Sequence, residues 1–306
     1  MSDRIFAKIA FVILSLVAIL AVSATAGPGT NSADFLNIPV FSRGAALSGA
    51  MVANADGATA LFYNPAGVGR NGSGEFSFSH TELMQDLRLD NFSMAIPMKN
   101  GSGIGLGLTY LGYGNIAGYD VAGVATGDLS AYSFMVNLGY SQRLTETFSA
   151  GIAVKPVFEK LDNLEASTVT FDLGLMAEFG QFSVGAQYAN LGGKLKYVTE
   201  EISLPATMRL GVSYRTFGSS SMISLAGNKE QGEGVSLGAG FEYAYNSILT
   251  FRAGYGGSLE QTATSADGMS LGVGLLLDHI GLDYTYRPSS TSEGIHQITG
   301  SYRFGR

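Results

Sequence analysis

The stretch Thr168–Phe179, TVTFDLGLMAEF, carries the sequence pattern from which the fold class can be predicted. Strict alternation of apolar with other residues indicates a β-strand whose two faces meet different surroundings. The stretch is also longer than the roughly 9–11 residues that a tilted strand needs to cross a bilayer. Its alternating apolar side chains are Val169, Phe171, Leu173, Leu175, Ala177 and Phe179.

The same alternation recurs from about residue 74 to the end of the chain, as in Gly103–Tyr110 and Ala131–Ser141. No helical period of comparable length follows residue 70. We therefore predict about fourteen strands, near 74–80, 89–98, 101–113, 128–142, 146–158, 166–179, 181–190, 204–217, 220–228, 233–246, 247–258, 267–278, 279–288 and 294–305.

The predicted connections divide into two classes. Those after odd-numbered strands are mostly long, at 81–88, 114–127, 159–165, 191–203, 259–266 and 289–293, while those after even-numbered strands are tight turns. An even strand number with long loops on one side and short turns on the other is typical of outer-membrane barrels. The sequence thus predicts an all-β protein, a transmembrane antiparallel β-barrel of about 14 strands.

The two faces of these strands differ in the way a membrane barrel requires. Aromatic rings near strand ends on the apolar face match interfacial girdles, as with Phe148 and Phe158. The other face carries charges of both signs, which we expect to point into the lumen because charges on a lipid face are unfavourable. Such mixed charges form either a structural network or a solute pathway. The residues are Lys155, Asp172, Glu178, Arg209, Arg215, Glu242, Arg252, Asp278, Asp283, Arg287 and Arg303.

The segment Phe41–Arg70, FSRGAALSGAMVANADGATALFYNPAGVGR, is dense in Gly and Ala. Its end, Asn64-Pro65-Ala66-Gly67, has turn chemistry, because Pro fixes its own φ and biases the preceding residue away from helix. A fourteen-stranded barrel is too wide for its own side chains to fill, since about eight strands is that limit. We therefore predict that 27–73 is a plug in the lumen of a barrel formed by 74–306.

The N-terminus has the three parts of a secretory signal. Arg4 and Lys8 precede the apolar run Ile9–Val22, and Ala24-Thr25-Ala26 supplies a small-x-small cleavage pattern. The apolar run is shorter than the ~20 residues of a membrane-spanning helix. We predict a signal peptide at 1–26 and Sec-type export to the bacterial outer membrane.

Composition narrows the function classes. A net charge of −7 argues against a nucleic-acid partner, and the absence of Cys excludes thiolate metal sites. The Gly-x-Gly spacings lie inside strands rather than before helices, so they are poor phosphate-binding loops. His80, His279 and His296 form no catalytic or metal-binding pattern. We expect no enzyme activity, no cofactor and no metal.

With these features in place, the chain resembles a known family. Arg43–Ala50 and Ala55–Gly67 look like the N-terminal signature of the PorV/PorQ proteins, which are relatives of the FadL/OmpP1 hydrophobic-compound transporters. Weaker similarities follow in the same order at Leu204–Gly211, Arg252–Tyr255 and Leu282–Pro288. The resemblance covers essentially the whole mature chain and implies a fourteen-stranded barrel with its N-terminal segment in the lumen.

The resemblance implies two alternative functions. PorV-like members act with type IX secretion, receiving exported client proteins for surface attachment. FadL-like relatives pass small hydrophobic ligands through the barrel wall, commonly at a kinked strand, which Lys155-Pro156 could mark here. A mainly structural barrel is a third alternative. Outer-membrane lipid is an expected partner in every case.

Overall fold

We describe the fold from a computed structural model, which describes residues 31–83, 86–216, 220–259, 268–290 and 293–305. The predicted signal peptide at 1–26 and residues 27–30 of the predicted plug lie outside this range. Among the described residues, no helix has the length and apolar character needed to cross a membrane.

Fourteen of the eighteen described strands form a closed antiparallel barrel, as the alternation predicts. Around the barrel the order is β1-β18-β17-β16-β15-β14-β13-β12-β9-β8-β7-β6-β3-β2, with β1 paired to β2. Two smaller sheets are the hairpins β4–β5 and β10–β11. The strands are β1 (Gly74–Glu82), β2 (Arg88–Pro97), β3 (Ser102–Gly112), β4 (Ile116–Tyr119), β5 (Ala125–Leu129), β6 (Ala131–Arg143), β7 (Phe148–Leu161), β8 (Leu164–Phe179), β9 (Phe182–Leu191), β10 (Lys194–Tyr197), β11 (Glu200–Ser203), β12 (Thr207–Thr216), β13 (Ser221–Glu230), β14 (Val235–Ala244), β15 (Leu249–Ser258), β16 (Met269–Leu277), β17 (Ile280–Arg287) and β18 (Ile295–Phe304).

The connections that the structure describes follow the predicted segregation with one correction, while most of the predicted loop 259–266 and the predicted turn 218–219 lie outside the described residues. The long connections after β3 and β9 contain the hairpins β4–β5 and β10–β11. The predicted loop 159–165 is wrong, because β7 runs to Leu161 and β8 begins at Leu164. Asp162, at φ 55°, makes the tight turn between them. The prediction failed because the apolar alternation stops near residue 159, although β7 and β8 remain paired as far as Leu161 and Leu164. This end of the hairpin extends beyond the apolar part of the strands.

The outer face of the barrel is apolar and the inner face is small or polar. On β8 the outward Phe171, Leu173 and Leu175 are exposed, whereas Thr170 and Asp172 between them are buried. Asp278 departs from the expected lumen position. It lies in the turn before His279, at φ 54°, with its side chain 87% exposed. A turn residue obeys the geometry of the turn rather than the alternation of the strand.

Residues 31–73, hereafter the N-terminal segment, contain the short helices Asp34–Asn37, Ser42–Ala46, Ala60–Tyr63 and Pro65–Gly67. The segment is packed against the inward face of the barrel, where Phe41, Leu47 and Leu61 are fully buried. Strand glycines permit this close approach. A Cβ added at Gly185 would lie 2.0 Å from the carbonyl oxygen of Val52.

Candidate functional site

The motif Asn64-Pro65-Ala66-Gly67 is anchored to the barrel wall through Asn64. The Asn64 side-chain nitrogen donates to the carbonyl oxygens of Leu175 on β8 (3.0 Å) and Ala186 on β9 (3.3 Å). It also donates to the carbonyl of Val52 within the N-terminal segment, at 2.8 Å. Its oxygen accepts from the amide of Ala66 and so caps the helix Pro65–Gly67. The motif thus joins two strands to the N-terminal segment.

The predicted lumen charges do not form a single network. Six of them, Glu178, Arg215, Glu242, Arg252, Asp283 and Arg303, lie toward the short-turn end of the barrel. Arg252 bridges Glu242 (2.6 Å) and Asp283 (2.5 Å). Asp172 pairs with Lys155 away from this group, and Gln187 links Asp172 to Arg209 by hydrogen bonds. Arg209 and Arg287 line a third region.

The group of charges at the short-turn end also includes four residues that the sequence analysis did not predict. Arg43 contacts Glu242 at 3.0 Å and Asp56 at 2.9 Å. Arg70 pairs with Glu178, and Glu75 accepts from Arg303. The sequence contained a signal for three of them, because Arg43, Asp56 and Arg70 are the only charged residues within Phe41–Arg70. All three form ion pairs in the structure.

Together these charges form a balanced set around a cavity of about 420 Å³ at the short-turn end of the barrel. Each arginine has a carboxylate within 4 Å, which satisfies charges that would otherwise be unfavourable away from bulk water. We call this set the inner charge network. It consists of Arg43, Arg70, Arg215, Arg252, Arg303, Asp56, Glu75, Glu178, Glu242 and Asp283.

A second cavity, of about 560 Å³, opens toward the long-loop end on the other side of the N-terminal segment. We call it the outer cavity. Its apolar lining comes from both the N-terminal segment and the barrel strands. These side chains include Phe35, Leu36, Ile38, Val40, Phe62, Met135 and Met269.

Polar groups occupy defined positions in the outer cavity. Arg209 donates to Asn37 Oδ1 at 3.0 Å and to the carbonyl of Phe62 at 3.3 Å. Tyr63 donates to the carbonyl of Val40 at 2.5 Å. Arg287 also lines this cavity, and within the described residues it has no ion-pair partner. Asp34, Glu230 and Glu233 also belong to the lining. A cavity that combines apolar side chains with fixed polar groups has the character of a small-molecule site.

The hairpin β10–β11 covers part of the long-loop end. Leu195 of the hairpin is fully buried. Tyr197 donates from its hydroxyl to Glu159 Oε2 at 2.5 Å, and burial together with this hydrogen bond raises the pKa of Tyr197. The hairpin is therefore docked on the rim rather than free.

The barrel wall is interrupted beside Lys155 and Asp172. Pro156 has no N–H, and the β6–β7 ladder lacks the pairs opposite Lys155 and Pro156. In β8–β9 the register shifts between Phe171 and Leu173, because Ala189 and Asn190 of β9 together lie opposite Asp172, with Asn190 at φ 59°. Lys155 Nζ lies 2.5 Å from Asp172 Oδ1, which also accepts from the amide of Asn190 at 2.8 Å. This buried ion pair fills the weakened part of the ladder.

No protein-family model and no curated protein sequence matches the chain. Solved structures do match. The toluene transporter TbuX of Ralstonia pickettii has a TM-score of 0.65 at 16% identity, covering 88% of this chain and 100% of that one. The toluene transporter TodX of Pseudomonas putida has a TM-score of 0.61 at 14% identity, covering 92% of this chain and 99% of that one.

A FadL homologue of Pseudomonas aeruginosa has a TM-score of 0.57 at 12% identity, covering 92% of this chain and 100% of that one. At these identities the likeness establishes the fold, which is that of FadL-type outer-membrane barrels. The finer resemblance to PorV/PorQ proteins is not confirmed by these matches, and they give no support to a role in type IX secretion.

Proposed function

We propose that this chain is an outer-membrane transporter of small hydrophobic compounds and that the outer cavity is its binding site. The observation that carries the proposal is a cavity of about 560 Å³ between the N-terminal segment and the barrel strands, where apolar side chains such as Phe35 and Phe62 lie beside polar and charged ones. Burial of apolar surface from water gives such a cavity its affinity for apolar solutes. The likeness to TbuX and TodX, which are toluene transporters, supports the same proposal.

Within this proposal, residues 27–73 act as the plug, and residues 1–26 direct Sec-type export. The inner charge network makes passage of an apolar solute along the barrel axis unfavourable, because the solute would separate paired charges in a confined space. The β6–β7 ladder, which is incomplete at Lys155 and Pro156, marks the proposed route through the wall. Outer-membrane lipid then receives the solute.

The test is solute binding to a variant with a filled cavity. Ser236 of β14 lines the outer cavity, so we expect Ser236→Trp to weaken binding of radiolabelled toluene or a long-chain fatty acid by more than tenfold. Leu225→Trp is the matched control, because Leu225 lies on neighbouring β13 with its side chain 49% exposed outside the barrel. Equal binding by both variants would reject the outer cavity as the site.

One observation favours the alternative of a protein-shuttling barrel. The hairpin β4–β5 projects from the long-loop side and exposes Tyr119 (66%), Val121 (110%) and Val124 (60%). Exposed apolar side chains of this kind can contact a protein. A photocrosslinker at Val121 that captures exported proteins sharing a C-terminal domain would favour the type IX role over solute transport.

A further inference from the structure

One polar pair interrupts the apolar outer surface of the barrel. Following the cross-strand pairs from β7 around to β14 gives a row of outward side chains on ten neighbouring strands. Eight are apolar or aromatic, and the other two are His80 and Asp90. The row reads Phe158, Phe134, Tyr110, Asp90, His80, Ile298, Tyr284, Val273, Phe251 and Tyr243.

The position of this row places the pair within the apolar band. Phe158 lies near the long-loop end of β7, whereas Tyr243 lies at the turn end of β14, so His80 falls between the two rims. Consecutive outward residues on a strand tilted by ~40° are about 5 Å apart along the membrane normal. His80 is three such steps from Gly74, or about 15 Å above the turn end, in a band about 25 Å tall.

The run of outward apolar side chains is correspondingly short on this face. On β8 the outward residues are apolar from Val169 to Phe179, which spans about 25 Å at the same spacing. On β1 only Phe76 and Phe78 precede His80 on the outward face. The face formed by β17, β18, β1 and β2 therefore presents polar groups at a depth where the opposite face presents hydrocarbon.

Several polar side chains cluster around the pair. His80 Nδ1 lies 2.6 Å from Asp90 Oδ1, with side chains 40% and 37% exposed. Glu82 is 67% exposed beyond His80, and its cross-strand neighbour is Arg88. The His296 Nδ1 lies 2.7 Å from the hydroxyl of Tyr284. We call this set the His80 patch: His80, Glu82, Arg88, Asp90, Tyr284 and His296.

These groups retain hydrogen-bonding capacity that lipid cannot satisfy. Among the described residues, the pair uses one nitrogen of His80 and one oxygen of Asp90, and the second nitrogen of His80 lies 4.0 Å from Glu82. Ionisable side chains facing hydrocarbon are unfavourable and mark sites where a partner is bound. The patch is thus suited to contact another polar surface within the membrane.

We propose that the face of β17, β18, β1 and β2 is the interface between two copies of this chain. Symmetric oligomers use self-complementary surfaces, so one patch must offer both signs of charge. The His80 patch does so, with Arg88 beside Glu82 and Asp90. A lipid phosphate fits less well, because the patch has two carboxylates and only one permanent cation.

The absence of Cys from the chain makes a direct test possible. Phe78→Cys places a thiol beside His80 on β1, at a side chain 53% exposed. Leu173→Cys is the control on the opposite face, at a side chain 49% exposed. We expect a short bifunctional maleimide to trap a dimer of the Phe78→Cys protein in native outer membranes. No dimer, or equal dimer from both variants, would overturn the proposal.

A second variant distinguishes an effect on the dimer interface from an effect on folding of the barrel. His80→Leu/Asp90→Leu removes the polar pair without charging the surface, so the barrel should keep its heat-dependent gel mobility. We expect the dimer seen by native mass spectrometry in mild detergent to weaken by at least about tenfold, since two-fold symmetry removes each lost contact twice. An unchanged dimer would overturn the proposal, as would a wild-type monomer carrying bound lipid.

Discussion

Arg43 Nε lies 3.0 Å from Glu242 Oε2, and the same carboxylate is 2.6 Å from Arg252 Nε. This contact joins the helix Ser42–Ala46 to β14 and β15. Arg43→Leu should leave Asp56 without its partner and destabilise the position of the N-terminal segment by about 1–3 kcal/mol, given the partial exposure of the pair. We expect the barrel to remain folded while ion conductance across planar bilayers rises.

The control for Arg43 is an exposed pair. Lys194 and Glu201 lie 3.7 Å apart on β10 and β11, with side chains 59% and 52% exposed. Lys194→Leu should leave conductance unchanged, because exposed pairs contribute little. If Arg43→Leu conducts no more than Lys194→Leu, the inner charge network does not hold the N-terminal segment.

Asn64 makes a second attachment, through hydrogen bonds to Leu175 and Ala186. Asn64→Ala removes a fully buried donor to main-chain carbonyls, and we expect a loss of about 1–3 kcal/mol. The readout is cleavage within the N-terminal segment by a protease added to protein in lipid vesicles. Asn246→Ala, at an exposed turn, is the control. Equal cleavage of both variants would contradict a role for Asn64 in anchoring.

The close packing of the N-terminal segment against β8 gives a third prediction. A Cβ at Gly174 would lie 2.1 Å from Asn64 Oδ1 and 2.9 Å from Pro65 Cδ. Gly174→Ala should therefore destabilise the protein by about 1–3 kcal/mol through overpacking. Gly300→Ala is matched, since a Cβ there meets nothing within 4 Å. Urea unfolding in lipid vesicles should separate the two variants, and coincident midpoints would show that the contact relaxes freely.

The barrel could be predicted from the sequence because its signal is local. Alternation such as that in Thr168–Phe179 reports the two faces of one strand without any knowledge of its neighbours. The error at 159–165 arose where that signal ends although backbone pairing continues to Leu161. Backbone hydrogen bonds form without apolar side chains. The distance that a hairpin extends beyond the membrane therefore cannot be predicted from the apolar alternation of the sequence.

The grouping of the site residues could not be predicted in the same way. Alternation puts Asp172 and Arg252 on one face of the sheet, but it gives no position around the barrel. Asp172 meets Lys155 from the neighbouring strand, whereas Arg252 meets Glu242 and Asp283. These partners are set by register and barrel closure, which depend on every strand together.

The Lys155–Asp172 pair provides the last prediction. The two side chains are 6% and 2% exposed, so neither charge has bulk water to replace its partner. Lys155→Met should cost about 3–5 kcal/mol by leaving Asp172 uncompensated. Lys155→Met/Asp172→Leu should recover part of that loss, because it removes both charges together.

Lys160→Met is the matched control on β7, since Lys160 pairs with exposed Glu165 at 3.5 Å. Its free energy of unfolding, measured with urea, should equal that of the unmodified protein within about 0.5 kcal/mol. The ladder beside Lys155 and Pro156 is already incomplete, so the single variant should also loosen the wall and accelerate amide hydrogen exchange in β7 and β8. A double variant no more stable than Lys155→Met would show that the pair acts through packing rather than through its charges.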